Sequence, residues 1–439
     1  MPHADVSRML EYEAKALLER LAEIRPFALT LPMVAAAAPS AAAQAAIESF
    51  LARGRQQLRR TLRQFLDWLA SPAGVAAPPD RAQQRFTMLR MRFLSVITQF
   101  DVFADALAER SQHNYGELIG GLDVAAAEAL DLPGDHFTPP PVICHLDRGA
   151  GAAIRRVRTR LEGGGTTPVA IIRVPRERMV GSGIASSLVH EVGHQAAELL
   201  DLLRPMRDAL GEIAARGGPA APAWACFRAW ISEILSDLWG VARVGIAATT
   251  GLMGVLSLPR VFVTRVTLDD PHPSPWIRVK ISAAFGKALF PDPQWDRIAS
   301  VWESLYPLDA AAGNAAGDVA MLRLLDANLP QFVQFVLRFQ PERLGGTTLA
   351  EAFPLGDRTP TRLRVLWQEH RRRPARLAAL PPTVAFAAVG QARHDGTVSA
   401  TSESLLLRRL LRYWALRSTV DASEICSSVR RPRGLALAV

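Results

Sequence analysis

Lysine is nearly missing from this chain: three lysines stand against 48 arginines in 439 residues. Cysteine is scarce as well, at three (Cys144, Cys226, Cys426). An odd, widely spaced set excludes a disulfide-stapled scaffold and suits a reducing compartment. No apolar run reaches the roughly 18 residues that a membrane-spanning helix needs. The longest candidate, Val244 to Leu258, is interrupted by threonines and glycines and stops at Pro259, so it is expected to be a buried core helix. The start, Met1-Pro2-His3-Ala4-Asp5, lacks a basic segment followed by an apolar one, the pattern of a secretory signal. These absences set the expectation of a soluble, cytoplasmic protein without a membrane span. With 49% hydrophobic and 21% charged residues, the chain is also neither disordered nor fibrous.

The net charge of +9 is unevenly placed. Residues 361–439 carry 14 arginines against five acidic residues, and residues 1–360 balance at 37 of each sign. The basic C-terminal region is expected to be a solvated face that weakly attracts an anionic partner. No aromatic-interleaved nucleic-acid motif accompanies it.

Apolar periodicity predicts helices over Leu10–Ile24, Ala41–Leu69 and Arg81–Glu109. Strand candidates follow at Val142–Cys144 and, in a β-branched run between prolines, at Pro168–Val174, with a helix expected over Ala152–Leu161 between them. Further helices are predicted from Ser182, at Met206–Ala215, over Ala223–Val244, and at Trp295–Leu305, Val319–Phe339 and Ser402–Arg417. The expected fold class is α+β, predominantly helical, with a small β-sheet in the middle. Its division is residues 1–135 as an N-terminal helical region, 136–290 as the chemical domain and 291–439 as a C-terminal helical region with the basic tail.

The chemistry concentrates at His190-Glu191-Val192-Gly193-His194. Residues four apart share a helix face, so two imidazoles point at one metal ion while Glu191 reaches water beside it. By chance such a motif arises about once in a hundred chains of this composition, so it needs a third ligand. Glu233 and Asp237 supply one: four apart on an otherwise apolar helix, they are costly to bury unless a metal and a metal-bound histidine satisfy them. Two imidazoles and a carboxylate leave a coordination position for water, as a catalytic zinc site requires, with Glu191 as general base. The other histidines carry no such pattern. His145, beside Cys144, lacks further spaced ligands, and His113, His136, His370 and His394 read as surface residues. Cys226 reads as core.

His190-Glu-x-x-His194 followed by Glu233-x-x-x-Asp237 resembles the gluzincin metallopeptidases. His272-Pro273-Ser274-Pro275 with Arg278 downstream is similar to a motif of the CAAX prenyl endopeptidases and their bacterial heat-shock membrane relatives. The resemblance covers residues 168–280 and implies a zincin-type catalytic domain. It implies one Zn2+ per chain on His190, His194 and Glu233, with Asp237 behind His190. Glu191, His272 and Arg278 would be catalytic, His272 facing the oxyanion and Arg278 ordering the site or holding substrate backbone. It also implies that Val169–Val174 is an edge strand that cradles the peptide. The expected function is thus zinc-dependent hydrolysis of a peptide or protein substrate, with the helical flanks as a surface for a regulatory partner. The alternative is a catalytically idle, peptidase-like binding protein whose metal is structural.

Overall fold

The structure, a computed structural model, describes residues 2–25, 32–149, 151–161, 165–311 and 316–429. It is predominantly helical, with one small mixed sheet. Three long helices come first, α1 (Pro2–Ala22), α2 (Ala41–Ala70) and α3 (Pro79–Ala108), followed by α4 (Gly116–Leu130). The sheet comprises β1 (Val142–Asp147), β2 (Ala153–Arg155) and β3 (Ala170–Pro175). Helices α5 (Ser182–Leu199), α6 (Leu203–Ala215), α7 (Ala221–Val244), α8 (Ile246–Leu256) and α9 (Pro275–Leu289) build the region around the motifs. The chain closes with α10 (Gln294–Leu305), α11 (Ala316–Leu337), α12 (Pro360–His370), α13 (Pro382–His394) and α14 (Ala400–Val429). Among the described residues, no helix is long and apolar enough to cross a membrane.

The sheet order is β1-β3-β2, with β3 parallel to β1 and antiparallel to β2. Two expectations are corrected here. Residues 153–155 form β2 instead of a helix: Ile154 pairs with Ile172, and Arg158 turns the chain at φ 63°. The helix-like spacing of Ile154, Val157 and Leu161 loses to ladder hydrogen bonds with β3. As a result β3 is the central strand, both its edges occupied, and the strand beside the motif helix that keeps an outer edge is β2.

Alternation along the strands feeds two cores. Val142, Cys144, Leu146, Ala170, Ile172 and Val174 face the main core, which runs from Leu118 on α4 to Trp414 on α14. Ile143, Val169 and Ile171 face the other way, against Ile47, Leu51, Phe100 and Phe103 of α2 and α3. A further core lies among α1, α2 and α3. The join between the N-terminal helices and β1 is polar and buried. Arg110 donates to Asp123 and to the Cys144 carbonyl, each at 2.9 Å, and Asp123 accepts from the Cys144 amide at 2.6 Å.

Helix α5 is fixed from several directions. Gly193 faces α7 so closely that a Cβ there would stand 2.7 Å from Cα of Ser236 and 3.0 Å from its carbonyl oxygen. Gly251 of α8 meets Ser186 of α5 in the same way, at 2.2 Å from its hydroxyl. At the start of α5, the Ser182 hydroxyl donates to Glu403 of α14 at 3.0 Å. The approach at Gly193 sets the distance between the two motif helices, so Gly193→Ala should overpack it at a cost of about 1–3 kcal/mol. Thermal unfolding should show the loss, and metal analysis a weaker hold on any ion bound between the two helices. Unchanged values of both would show that the crossing tolerates a methyl group.

Candidate metal centre

Helices α5 and α7 cross so that His190, His194 and Glu233 converge. Their donor atoms all lie within 4.8 Å of one another. One Glu233 oxygen is 3.3 Å from His190 Nε2 and the other is 3.3 Å from His194 Nε2. The two imidazole rings stand nearly perpendicular, at 87°, with centroids 4.9 Å apart. Zinc–ligand bonds of about 2.0–2.1 Å make the edge of a coordination tetrahedron about 3.3–3.4 Å. The donor set suits zinc, and each Glu233–imidazole distance matches such an edge.

Asp237, one turn beyond Glu233, reaches the other nitrogen of His190, with Oδ1 2.8 Å from Nδ1. Arg278, near the start of α9, holds both acids: Nε donates to Asp237 Oδ2 at 2.7 Å, and Nη2 donates to Asp237 Oδ1 at 3.0 Å and Glu233 Oε2 at 3.2 Å. α9 begins where Pro275 can sit, in a first turn whose amide needs no acceptor. This places Arg278 one turn in, buried beneath the two carboxylates. Its guanidinium is thus engaged by protein acids. Ser232 stands behind His194, its Oγ 3.4 Å from Nδ1.

These contacts set the proton inventory. Burial opposes charge on His190, but hydrogen bonds to Asp237 and Glu233 outweigh it and hold the imidazole's pKa up to about 10. Burial also works against ionised Glu233 and Asp237. The two histidines win for Glu233, and the Arg278 charge with His190 wins for Asp237, so both stay below the usual carboxylate range. Glu191 moves the other way: its burial pushes the carboxyl up, against the pull of the two imidazoles. In this fold Glu233 and Asp237 stay charged while Glu191 is the carboxyl biased toward carrying a proton.

A cleft of about 900 Å3 opens over the cluster, lined by His190, Glu191, Glu233, Asp237 and Arg278. His272 stands at its rim, half-exposed, with Nε2 3.4 Å from Glu233 Oε2 and Nδ1 2.6 Å from Asp270. Gly151 and Ala152, just before β2, line one side, and Leu252, Val255, Leu256, Leu258 and Phe262 form an apolar wall. Comparison with protein-family models, curated proteins and solved structures finds no match to this chain.

Of the seven residues that the motifs single out, His190, Glu191, Glu233, Asp237, His272 and Arg278 line the cleft, and His194 joins them through its cluster with His190 and Glu233. Ser232 and Asp270 were not foreseen. Each had a faint signal, Ser232 lying next to Glu233 and Asp270 two residues before His272. Of the remaining histidines, His113 is exposed, whereas His136, His145, His370 and His394 are half-buried. Cys144 and Cys226 are buried free thiols, and burial pushes Cys226 up to about 11, as suits a core residue. The side chain of Cys426 lies outside the described residues.

Proposed function

We propose that this protein is a zinc-dependent endopeptidase binding one zinc ion through His190, His194 and Glu233. The observation that carries the reading is the Glu233 carboxylate lying 3.3 Å from each imidazole while Asp237 holds the far side of His190. A structural zinc site closes all four positions with protein ligands, whereas this one has three protein donors at the base of an open cleft. Bound there, zinc supplies a Lewis acid that polarises a substrate carbonyl and makes water acidic near neutral pH.

The chain's own groups do the rest. Glu191, its carboxyl in the cleft wall, accepts a proton from the attacking water and returns it to the leaving amine nitrogen. In its imidazolium form His272, donating from Nδ1 to Asp270, also donates from Nε2 to the oxyanion that grows on the scissile carbonyl. Asp237 and Arg278 are positioning residues: Asp237 fixes the tautomer and tilt of His190, and Arg278 neutralises the buried acids. An extended substrate enters beside β2, the strand with an outer edge, and sets apolar side chains against Leu252, Val255 and Phe262. Apolar residues beside the cut are therefore favoured.

The deciding experiment combines metal analysis with cleavage of an unbiased peptide library. One zinc per chain and cleavage next to apolar residues are expected. A metal-loaded protein that cuts nothing in the library would leave the binding-protein reading in its place. Asp237→Asn tests the support for His190. It should weaken zinc affinity by roughly 10–100-fold without abolishing binding, measured by competition with a chromogenic chelator. An unchanged affinity would remove Asp237 from the site.

A further inference from the structure

The balance of charge across residues 1–360 hides a local excess. Residues 53–92, on α2 and α3, hold nine arginines against two aspartates, a net charge of +7. Arg55 is used internally, donating to the Ile24 carbonyl at the end of α1. Arg53, Arg59, Arg60 and Arg63 on α2 and Arg81, Arg90 and Arg92 on α3 carry no ion pair with any described residue, and all are exposed. Arg85 lies over the Trp68 indole, 4.3 Å from its centroid, so this flank of α3 faces α2.

That surface has an apolar crest. α3 buries Ala82, Phe86, Leu89 and Phe93 on one side. At 100° per residue, the opposite pole is taken by Met88, Met91 and Leu94, which are 63%, 60% and 53% exposed. Arg81, Arg85 and Arg92 flank this crest on one side and Arg90 on the other. The turn joining the hairpin adds Val75, 65% exposed. Exposed methionines and leucine at consecutive turns serve no packing purpose within the chain. A purely polyanion-binding surface has no use for them either, since arginine alone meets phosphate. Apolar residues between guanidinium groups match an interface whose phosphates lie just above hydrocarbon.

We propose that the outward face of the α2–α3 hairpin seats this protein on an anionic lipid bilayer, with its arginines on headgroup phosphates and Met88, Met91 and Leu94 in the acyl boundary. The attachment is peripheral and does not depend on the metal centre.

The test is co-sedimentation of the full chain with vesicles of phosphatidylcholine, alone or with about a third phosphatidylglycerol. Binding should require the anionic lipid and weaken as salt is raised above about 0.1 M. Arg59→Gln/Arg60→Gln/Arg63→Gln together should lower affinity by roughly a hundredfold, at about fivefold per arginine near the surface. Met88→Ser/Met91→Ser/Leu94→Ser together should lower it by at least about tenfold. All six positions are exposed, and circular dichroism should show the fold kept. The control Arg408→Gln/Arg409→Gln/Arg412→Gln, in the basic C-terminal helix, should change nothing. Three results would each overturn the proposal. The first is failure to bind the anionic vesicles, and the second is equal binding to both lipids. The third is a serine variant that binds vesicles and a single-stranded homopolymer RNA as well as the parent does.

Discussion

Glu191→Gln should keep one zinc per chain and lose turnover by roughly 10²–10⁴-fold on any peptide that the parent cleaves. The amide has nearly the shape of the carboxylate, and the proposed ligands His190, His194 and Glu233 are separate side chains. What disappears is the ability to take a proton and give it back. Burial raises the Glu191 carboxyl, bringing its basicity closer to that of water activated near neutral pH, which is where general-base transfer is most effective. The expected kinetic signature is a fall in kcat with KM little changed, because the carboxylate acts in the transition state and contributes little to ground-state binding. If the variant retained both zinc and full turnover, the base would have to be another group, and the half-exposed His272 would be the next to test. If it lost zinc, the cleft wall and the metal shell would be coupled, and no conclusion about the base could be drawn from rate alone.

How much of this could be read beforehand depends on the distance over which each feature is determined. His190 and His194 share a face because four residues make about one helical turn, and the same rule pairs Glu233 with Asp237. That those faces would meet rests on Gly193, whose missing side chain admits the Ser236 backbone. The glycine was visible, but its partner, 43 residues away, was not. The sheet shows the opposite case. Ile154, Val157 and Leu161 follow a helical period, yet β3 offers Ile154 a ladder partner in Ile172, and pairing decides the conformation. That one strand converts β3 from an edge to the centre and moves the expected substrate edge to β2. Arg278 was legible as part of the site, but its engagement with Glu233 and Asp237 depends on how α9 packs against α7. The Ser182–Glu403 contact, 221 residues apart in sequence, has no local signal at all. Charge summed over long segments erased the basic hairpin, because the arginines of residues 53–92 were offset by acids elsewhere.

His194→Ala should purify without zinc, and the parent stripped by a chelator should melt well below its loaded form. At free zinc a hundredfold above Kd the stabilisation is about 2.7 kcal/mol, several degrees for a domain of this size. The difference should depend on pH with a definite sign. In the metal-free fold His190 titrates at about 10, against 6.5 as its ordinary value. Its protonated form therefore stabilises the metal-free protein fully below 6.5, and that contribution fades as pH rises through about 10. Zinc requires the neutral imidazole, so binding must expel the proton that Asp237 and Glu233 hold there. Over the same window the metal-free form loses stability while zinc competes with fewer protons. The gap in Tm between loaded and stripped protein should consequently widen from about pH 7 to about pH 9. In His194→Ala, added zinc should leave Tm unchanged at every pH. A gap of constant size in the parent would show that His190 is already neutral in the metal-free protein over this range, against the hold of Asp237 and Glu233 on its proton.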